Sequence, residues 1–203
     1  MMVTTTTPGF RDSVHDAQQT FRTLLDALSC PGEVKAIAPL LTPPHGLTPA
    51  CAAACLTLLD LETRVWLQSG LDAAVAAWLM FHTGCRFTPD PQTANFAIVW
   101  DLAQLPDLDS FNWGTAACPE ASTSVLVQVE QISHGIPVVL KGPGILQERA
   151  IAPHLPERFW HQWQHNSQAY PRGIDVFLFD QHCVMGLPRT STLTNYSQNI
   201  LDG

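Results

Sequence analysis

The sequence predicts an α/β fold in which a mixed sheet is layered by helices. Short apolar runs of strand length alternate with helix-periodic stretches along the whole chain. Phe96–Trp100 is a continuous apolar run of the kind that forms a strand covered on both faces. Val176–Phe179 and Val184–Leu187, separated by Asp180-Gln181-His182, read as a β-hairpin.

Apolar residues at Val14, Ala17, Phe21, Leu24, Leu25 and Leu28 fall at helical spacing. Asp12 or Ser13 can cap that helix, and Pro31-Gly32 stops it. A short strand follows over Val34–Ile37. Thr48-Pro49 opens a second helix, because threonine caps and proline fits the first turn. Its body, Ala50–Leu59, is apolar nearly all round and so belongs in the interior. Arg64–Leu67 reads as a strand, and Ala73–Phe81 as a third helix starting near Ser69 with Gly84 as its C-cap.

Asp107–Asn112 reads as a loop or short helix. Val125–Val129 and Val138–Lys141 read as an antiparallel pair turning around Ser133-His134-Gly135. Pro156–His165 reads as a helix carrying Trp160 and Trp163. The late hairpin should deliver Pro188-Arg189-Thr190 to an edge of the sheet. One domain is expected over residues 10–203, preceded by a disordered tail at 1–9. The segment MMVTTTTPGF has no apolar core and no early positive charge, so it does not read as a secretory signal.

With 203 residues, the chain can bury a core without disulfides or metal. A formal net charge of −8 with only the lysines Lys35 and Lys141 leaves no basic stripe for nucleic acid. No run approaches the ~18 apolar residues of a membrane span. None of the six cysteines forms a C-x-x-C pair, and buried thiols in a reducing cytoplasm fit them better than a cluster or zinc site. Low charge and the aromatic face of Phe159, Trp160 and Trp163 point to apolar surface covered by a partner.

Several constellations could carry chemistry. Lys141-Gly142-Pro143-Gly144 follows a strand, and its glycines could bring backbone amides to an anion or simply form a tight turn. It is neither a P-loop nor a dinucleotide fingerprint. His82, followed by Thr83, ends the third helix, where it could contact a ligand or merely suit the helix dipole. His161 and His165 share a helical face, but no third metal ligand accompanies them. Arg189 and Thr190 suit an anionic oxygen. Alternatively, Arg189 pairs with Asp60 or Asp175 and holds the fold together. No serine sits in a G-x-S-x-G context.

These pieces occur together in a recognisable order. They are Phe21-Arg22 through Ser29-Cys30-Pro31-Gly32, LTLLDLETR at 56–64, His82-Thr83-Gly84, Cys118-Pro119-Glu120 and Lys141-Gly142-Pro143-Gly144-Ile145. Tyr170-Pro171-Arg172-Gly173-Ile174-Asp175 and Leu187-Pro188-Arg189-Thr190 complete the series. In this the chain resembles the PhnH family of carbon–phosphorus lyase subunits over roughly residues 10–193. Ser191 stands where a second threonine commonly follows Arg-Thr, and the hydroxyl is kept.

The resemblance implies a three-layer α/β/α fold similar to the large domain of pyridoxal-phosphate-dependent transferases, without the cofactor. It implies a cytoplasmic assembly with other carbon–phosphorus lyase subunits. There, with a nucleosidase-type subunit, the adenine of ATP is exchanged for a phosphonate to give ribose 1-phosphonate 5-triphosphate. No catalytic residues carry over. The expectations are a homodimer, no cofactor, no metal, and a phosphonate or nucleotide contact at Arg189, Thr190, His82, Thr83, Gly142 and Gly144. The alternatives are a free-standing pyridoxal-type or nucleotide-processing transferase, for which neither Lys35 nor Lys141 has a recognisable Schiff-base context, and a purely structural adaptor.

Overall fold

Local capping starts the first elements where the residue types require it. A computed structural model describes residues 7–39 and 41–194. Helix α1 (Ser13–Ser29) begins at Asp12, whose carboxylate accepts from the amides of Val14 and His15. Strand β1 (Val34–Ala36) follows. Helix α2 (Pro49–Leu58) is capped by the Thr48 hydroxyl and buries Ala50 through Cys55 on every side. After β2 (Arg64–Leu67), helix α3 (Ala73–Thr83) begins at Asp72, not near Ser69, because the Asp72 carboxylate takes the Ala74 amide. Gly84 closes α3 in the left-handed region.

The remaining strands and α-helix are β3 (Arg86–Phe87), β4 (Phe96–Val99), β5 (Ser124–Gln128), β6 (Val138–Lys141), β7 (Arg149–Ile151), α4 (Glu157–Gln168), β8 (Asp175–Phe179), β9 (Cys183–Leu187) and β10 (Thr192–Thr194), with short 3-10 turns between them, one of them at Leu108–Ser110. Seven strands form the main sheet in the order β1-β9-β8-β5-β4-β2-β3. Strands β8, β5, β4, β2 and β3 are parallel, while β9 runs against both β8 and β1. The sheet is therefore mixed and the fold α/β, and the late hairpin forms as expected.

The expected antiparallel pairing of Val125–Val129 with Val138–Lys141 is not formed. Strand β5 has parallel neighbours on both edges, β4 and β8, so no edge is left for β6. Strand β6 instead joins a separate three-stranded sheet, β10-β6-β7. Nor do Pro188-Arg189-Thr190 lie at a lateral edge, because β9 is an inner strand between β1 and β8.

Alternation along the inner strands divides the core in two. Ile98, Leu126, Phe177 and Phe179 face α1, α2 and α3, packing in the cluster that holds Leu24, Cys51 and Trp78. Ala97, Val125, Val127 and Leu178 face the other way, into a cluster with Leu140 of β6 and Phe159, Trp160 and Trp163 of α4. All three of those aromatic side chains are fully buried, so the face expected to meet a partner is spent on this second core. Large apolar side chains are exposed on α1, at Val14, Phe21 and Leu25.

Of the tail expected over 1–9, residues 1–6 lie outside the described residues, as do 195–203 at the other end. At Thr7 the backbone carbonyl already accepts from the Trp78 indole at 2.7 Å and meets His82 Nε2 at 3.0 Å. Among the described residues no helix is long and apolar enough to cross a membrane.

Candidate functional site

Arg189, placed just past β9, is a junction inside the protein. Its Nε and Nη2 donate to the two oxygens of Asp175, at 3.2 and 2.5 Å. Nη2 also donates to Ser122 Oγ at 2.6 Å, and Nη1 to the carbonyls of Pro119 and Pro171 at 3.0 and 3.4 Å. A guanidinium has five N–H groups, and these contacts give each of them an acceptor. The Asp175 carboxylate further accepts the Arg189 backbone amide at 2.8 Å. No donor remains for an anion. The segments Cys118-Pro119-Glu120, Tyr170–Asp175 and Leu187–Thr190, far apart in sequence, thus meet on one side chain.

The glycines at 142 and 144 make close backbone contacts within the protein. Gly142 (φ +146) approaches the Thr190 carbonyl so closely that a Cβ would lie 2.7 Å from its oxygen. At Gly144 (φ +81) a Cβ would lie 2.0 Å from the Ser29 carbonyl oxygen at the end of α1. Nearby, Arg149 Nη1 donates to the Pro31 carbonyl at 2.7 Å and Nη2 to Glu33 at 2.7 Å. Lys35 completes this junction, with Nζ 2.6 Å from the same carboxylate. The two cations hold the Glu33 carboxyl below its ordinary value, the Lys35 hydrogen bond contributing most.

Of the six residues expected to share a site, the structure brings Gly142 against Thr190 and sets Arg189 beside them in sequence. His82 and Thr83 belong to another neighbourhood. His82 packs edge-on against Trp78 and Phe81 and touches the chain at Thr7 and Gly9. The Thr83 hydroxyl donates to the Leu79 carbonyl and accepts the Cys85 amide. His165 leans on Trp113, and no group of three or more metal-binding side chains occurs among the described residues. Lys35 and Lys141 are ion-paired to Glu33 and Glu148, respectively.

A concavity lies elsewhere, above the carboxyl ends of β4 and β5 and the turn after β8. It encloses about 770 Å³. The loop Leu41–Thr48 leading into α2 forms one wall, and Trp100–Ala103 the opposite one. Gln128, the buried last residue of β5, pins the first wall: its Oε1 accepts the Thr48 amide at 2.6 Å, and its Nε2 donates to the Gly46 carbonyl at 3.0 Å. Gln68 fixes the second, accepting the amides of Trp100 and Asp101 and donating to the carbonyls of Asp101 and Gln104. The sequence does carry a trace of this: each glutamine is a lone polar residue at the carboxyl end of an apolar strand run, where α/β sheets hold ligands.

The thiols of α2 face the core. Cys51 and Cys55 are buried one turn apart, and the Cys55 thiol is pushed well above its ordinary value by its hydrogen bond to Cys51 and by burial. Burial also raises Cys85.

Comparison with known proteins points one way. A model of the family described as "Bacterial phosphonate metabolism protein (PhnH)" matches residues 8–194. The chain is 39% identical over 186 residues to the "Alpha-D-ribose 1-methylphosphonate 5-triphosphate synthase subunit PhnH" of Rhizobium meliloti (strain 1021), spanning 91% of this chain and 93% of that protein. It is 28% identical over 178 residues to the provisionally named C-P lyase subunit protein HtxG of Stutzerimonas stutzeri, spanning 86% and 84% of the two chains.

Proposed function

The chain belongs to the PhnH family of bacterial phosphonate metabolism proteins, and from that premise we propose that it serves as one subunit of a carbon–phosphorus lyase assembly. In that assembly it is needed, with its sister subunits, to make ribose 1-phosphonate 5-triphosphate from ATP and an alkylphosphonate. The observation that carries this is the 39% identity, over nearly the whole of both chains, to a relative named as a subunit of that synthase. The side chains agree with a dependent role. Five of the seven family segments meet at two internal junctions, around Arg189 and around Arg149 with Glu33, where the side chains hold the scaffold; residues 56–64 and His82-Thr83-Gly84 lie apart from both.

The likeness to the large domain of pyridoxal-phosphate-dependent transferases is an inference of architecture, supported by parallel strands β8, β5, β4, β2 and β3 with α1, α2 and α3 on one face. A free-standing pyridoxal enzyme finds no support, because Lys35 and Lys141 are both engaged by carboxylates and neither lines the cleft. We further infer a cytoplasmic homodimer. Exposed Val14, Phe21 and Leu25 on α1 support the dimer in place of the buried aromatic residues. Sedimentation at micromolar concentration checks it, a monomer alone counting against it.

Reconstitution tests the main reading. Purified sister subunits with ATP and methylphosphonate, followed by phosphorus NMR, should form the ribosyl phosphonate only when this chain is added. Turnover by this chain by itself, or full turnover without it, overturns the proposal.

A further inference from the structure

We propose that the cleft over the carboxyl ends of β4 and β5 is a small-molecule site for an uncharged nitrogen heterocycle, a nucleobase or nucleoside, and that it rejects phosphates and phosphonates. This rests on the cleft and not on the assembly proposed above.

Position and size come first. Parallel sheets bind ligands in the crevice beyond the carboxyl ends of their strands, where connections leave to opposite faces. Strands β2, β4 and β5 are parallel neighbours. The segment after β2 forms α3 against one core while those after β4 and β5 enter the other, so the reversal falls between β2 and β4, beside the Trp100–Ala103 wall of the cleft. A volume of about 770 Å³ falls within the roughly 300–1,000 Å³ of small-molecule sites. The walls are fixed in advance by Gln128 and Gln68, so little ordering has to accompany binding.

Charge decides the ligand class. Among the described residues, the ionisable side chains on the cleft are Asp101, Glu130, His45 and His154, with no lysine or arginine. An anion there meets two carboxylates on a chain of formal net charge −8. The N-terminus of α2 opens onto the cleft, and its first amides are already used. Pro49 has no N–H, Ala50 donates to the Gln181 carbonyl at 3.3 Å, and Cys51 to the Thr48 hydroxyl at 3.3 Å. The usual anion-holding device is thus closed off.

What remains suits a flat ring. Leu41, Leu47, Leu102 and Val129 supply apolar wall, and the half-buried Trp100 indole is held by its Nε1 bond to the Ser69 carbonyl at 3.2 Å. Thr42 and Gln181 are exposed on the cleft, offering donors and acceptors of the kind that ring nitrogens and amino groups require.

Calorimetric titration of the full chain at low ionic strength with adenosine, AMP, ATP and methylphosphonate tests this. Adenosine should bind with a sub-millimolar constant, and each added phosphate should weaken binding, AMP by at least tenfold. Trp100→Leu should weaken adenosine at least tenfold. Glu130→Lys, at a rim side chain 78% exposed, should narrow the gap between adenosine and AMP at least threefold with an unchanged melting temperature, and it carries the test if Trp100→Leu misfolds. No adenosine binding at millimolar concentration, or tighter binding of ATP or methylphosphonate, overturns the proposal. Those outcomes leave the reconstitution result untouched, so the two readings fail separately.

Discussion

Arg189 and Asp175 stand fourteen positions apart and meet side chain to side chain, Nη2 lying 2.5 Å from Oδ2, in a pair only 12% and 21% exposed. The pair closes the amino-terminal rim of the sheet. Asp175 opens β8 opposite Ser124 of β5, and the same guanidinium gathers Ser122, Pro119 and Pro171.

Arg189→Ala leaves the largely buried Asp175 carboxylate with the backbone amide of residue 189 but no cation, and takes the donor from two carbonyls and the Ser122 hydroxyl. Such losses cost about 3 kcal/mol at the lower end of the measured range, which for a domain of this size lowers Tm by roughly 6–12 °C. Arg189→Lys should recover little of this, since an ammonium cannot span the carboxylate, the hydroxyl and two carbonyls together. Thermal unfolding of the two variants checks the point. A wild-type Tm for Arg189→Ala with lost activity in the reconstituted assembly would instead mark a ligand contact.

Gly144→Ala places a methyl group in the space of the Ser29 carbonyl and a side chain at φ +81. Strain and overpacking together predict a loss of roughly 2–4 kcal/mol. Urea unfolding should show a lower midpoint at an unchanged slope.

Thiol reactivity should follow exposure and charge state. Cys118 is exposed, whereas Cys51 and Cys55 are buried and the Cys55 thiol is held protonated well above its ordinary range. Brief alkylation at pH 8, read by peptide mass spectrometry, should label Cys118 first and Cys51 and Cys55 only after unfolding.

The Glu33 junction predicts a pH signature. A carboxyl held below its ordinary value of 4.5 stabilises the fold above that value and loses its contribution as pH falls through the folded value. Lys35, raised above 10.5 chiefly by its hydrogen bond to Glu33, contributes below that value and loses its contribution as pH rises through the folded one. Glu33→Gln should therefore lower Tm at pH 7 and have a smaller effect at pH 3. An equal effect at both would assign the residue a role independent of charge.

Helix starts at Asp12 and Thr48 were legible in the sequence because each cap is a local contract between a side chain and amides two or three residues on. The hairpin of β8 and β9 was legible for the same reason. The partner of β5 was not, since an apolar strand read alone does not say whether its neighbours lie near or far in the chain. Phe159, Trp160 and Trp163 read equally well as an outward or an inward face, and only the second core decides it. Arg189 was legible as special, but not the Pro119 and Pro171 carbonyls it binds, because backbone acceptors leave no trace in residue identity. Thr48 shows as a cap in the sequence, but nothing local reveals that Gln128 holds its amide beside a cleft.

The sheet order also sets a timetable for synthesis. Val34 of β1 pairs with Met185 of β9, so the edge formed by one of the first strands waits for one of the last. Until the ribosome has released β8 and β9, β5 has an open side and the cluster under α1 lacks Phe177, Phe179 and Val184. The emerging chain therefore carries an incomplete core on the α1 side until β8 and β9 follow. This predicts that a chain stopped before Asp175, with β5 open on one side and β1 without its partner, is a client for chaperones and proteases. The last strands to be made thus close both the main sheet and the core beneath α1.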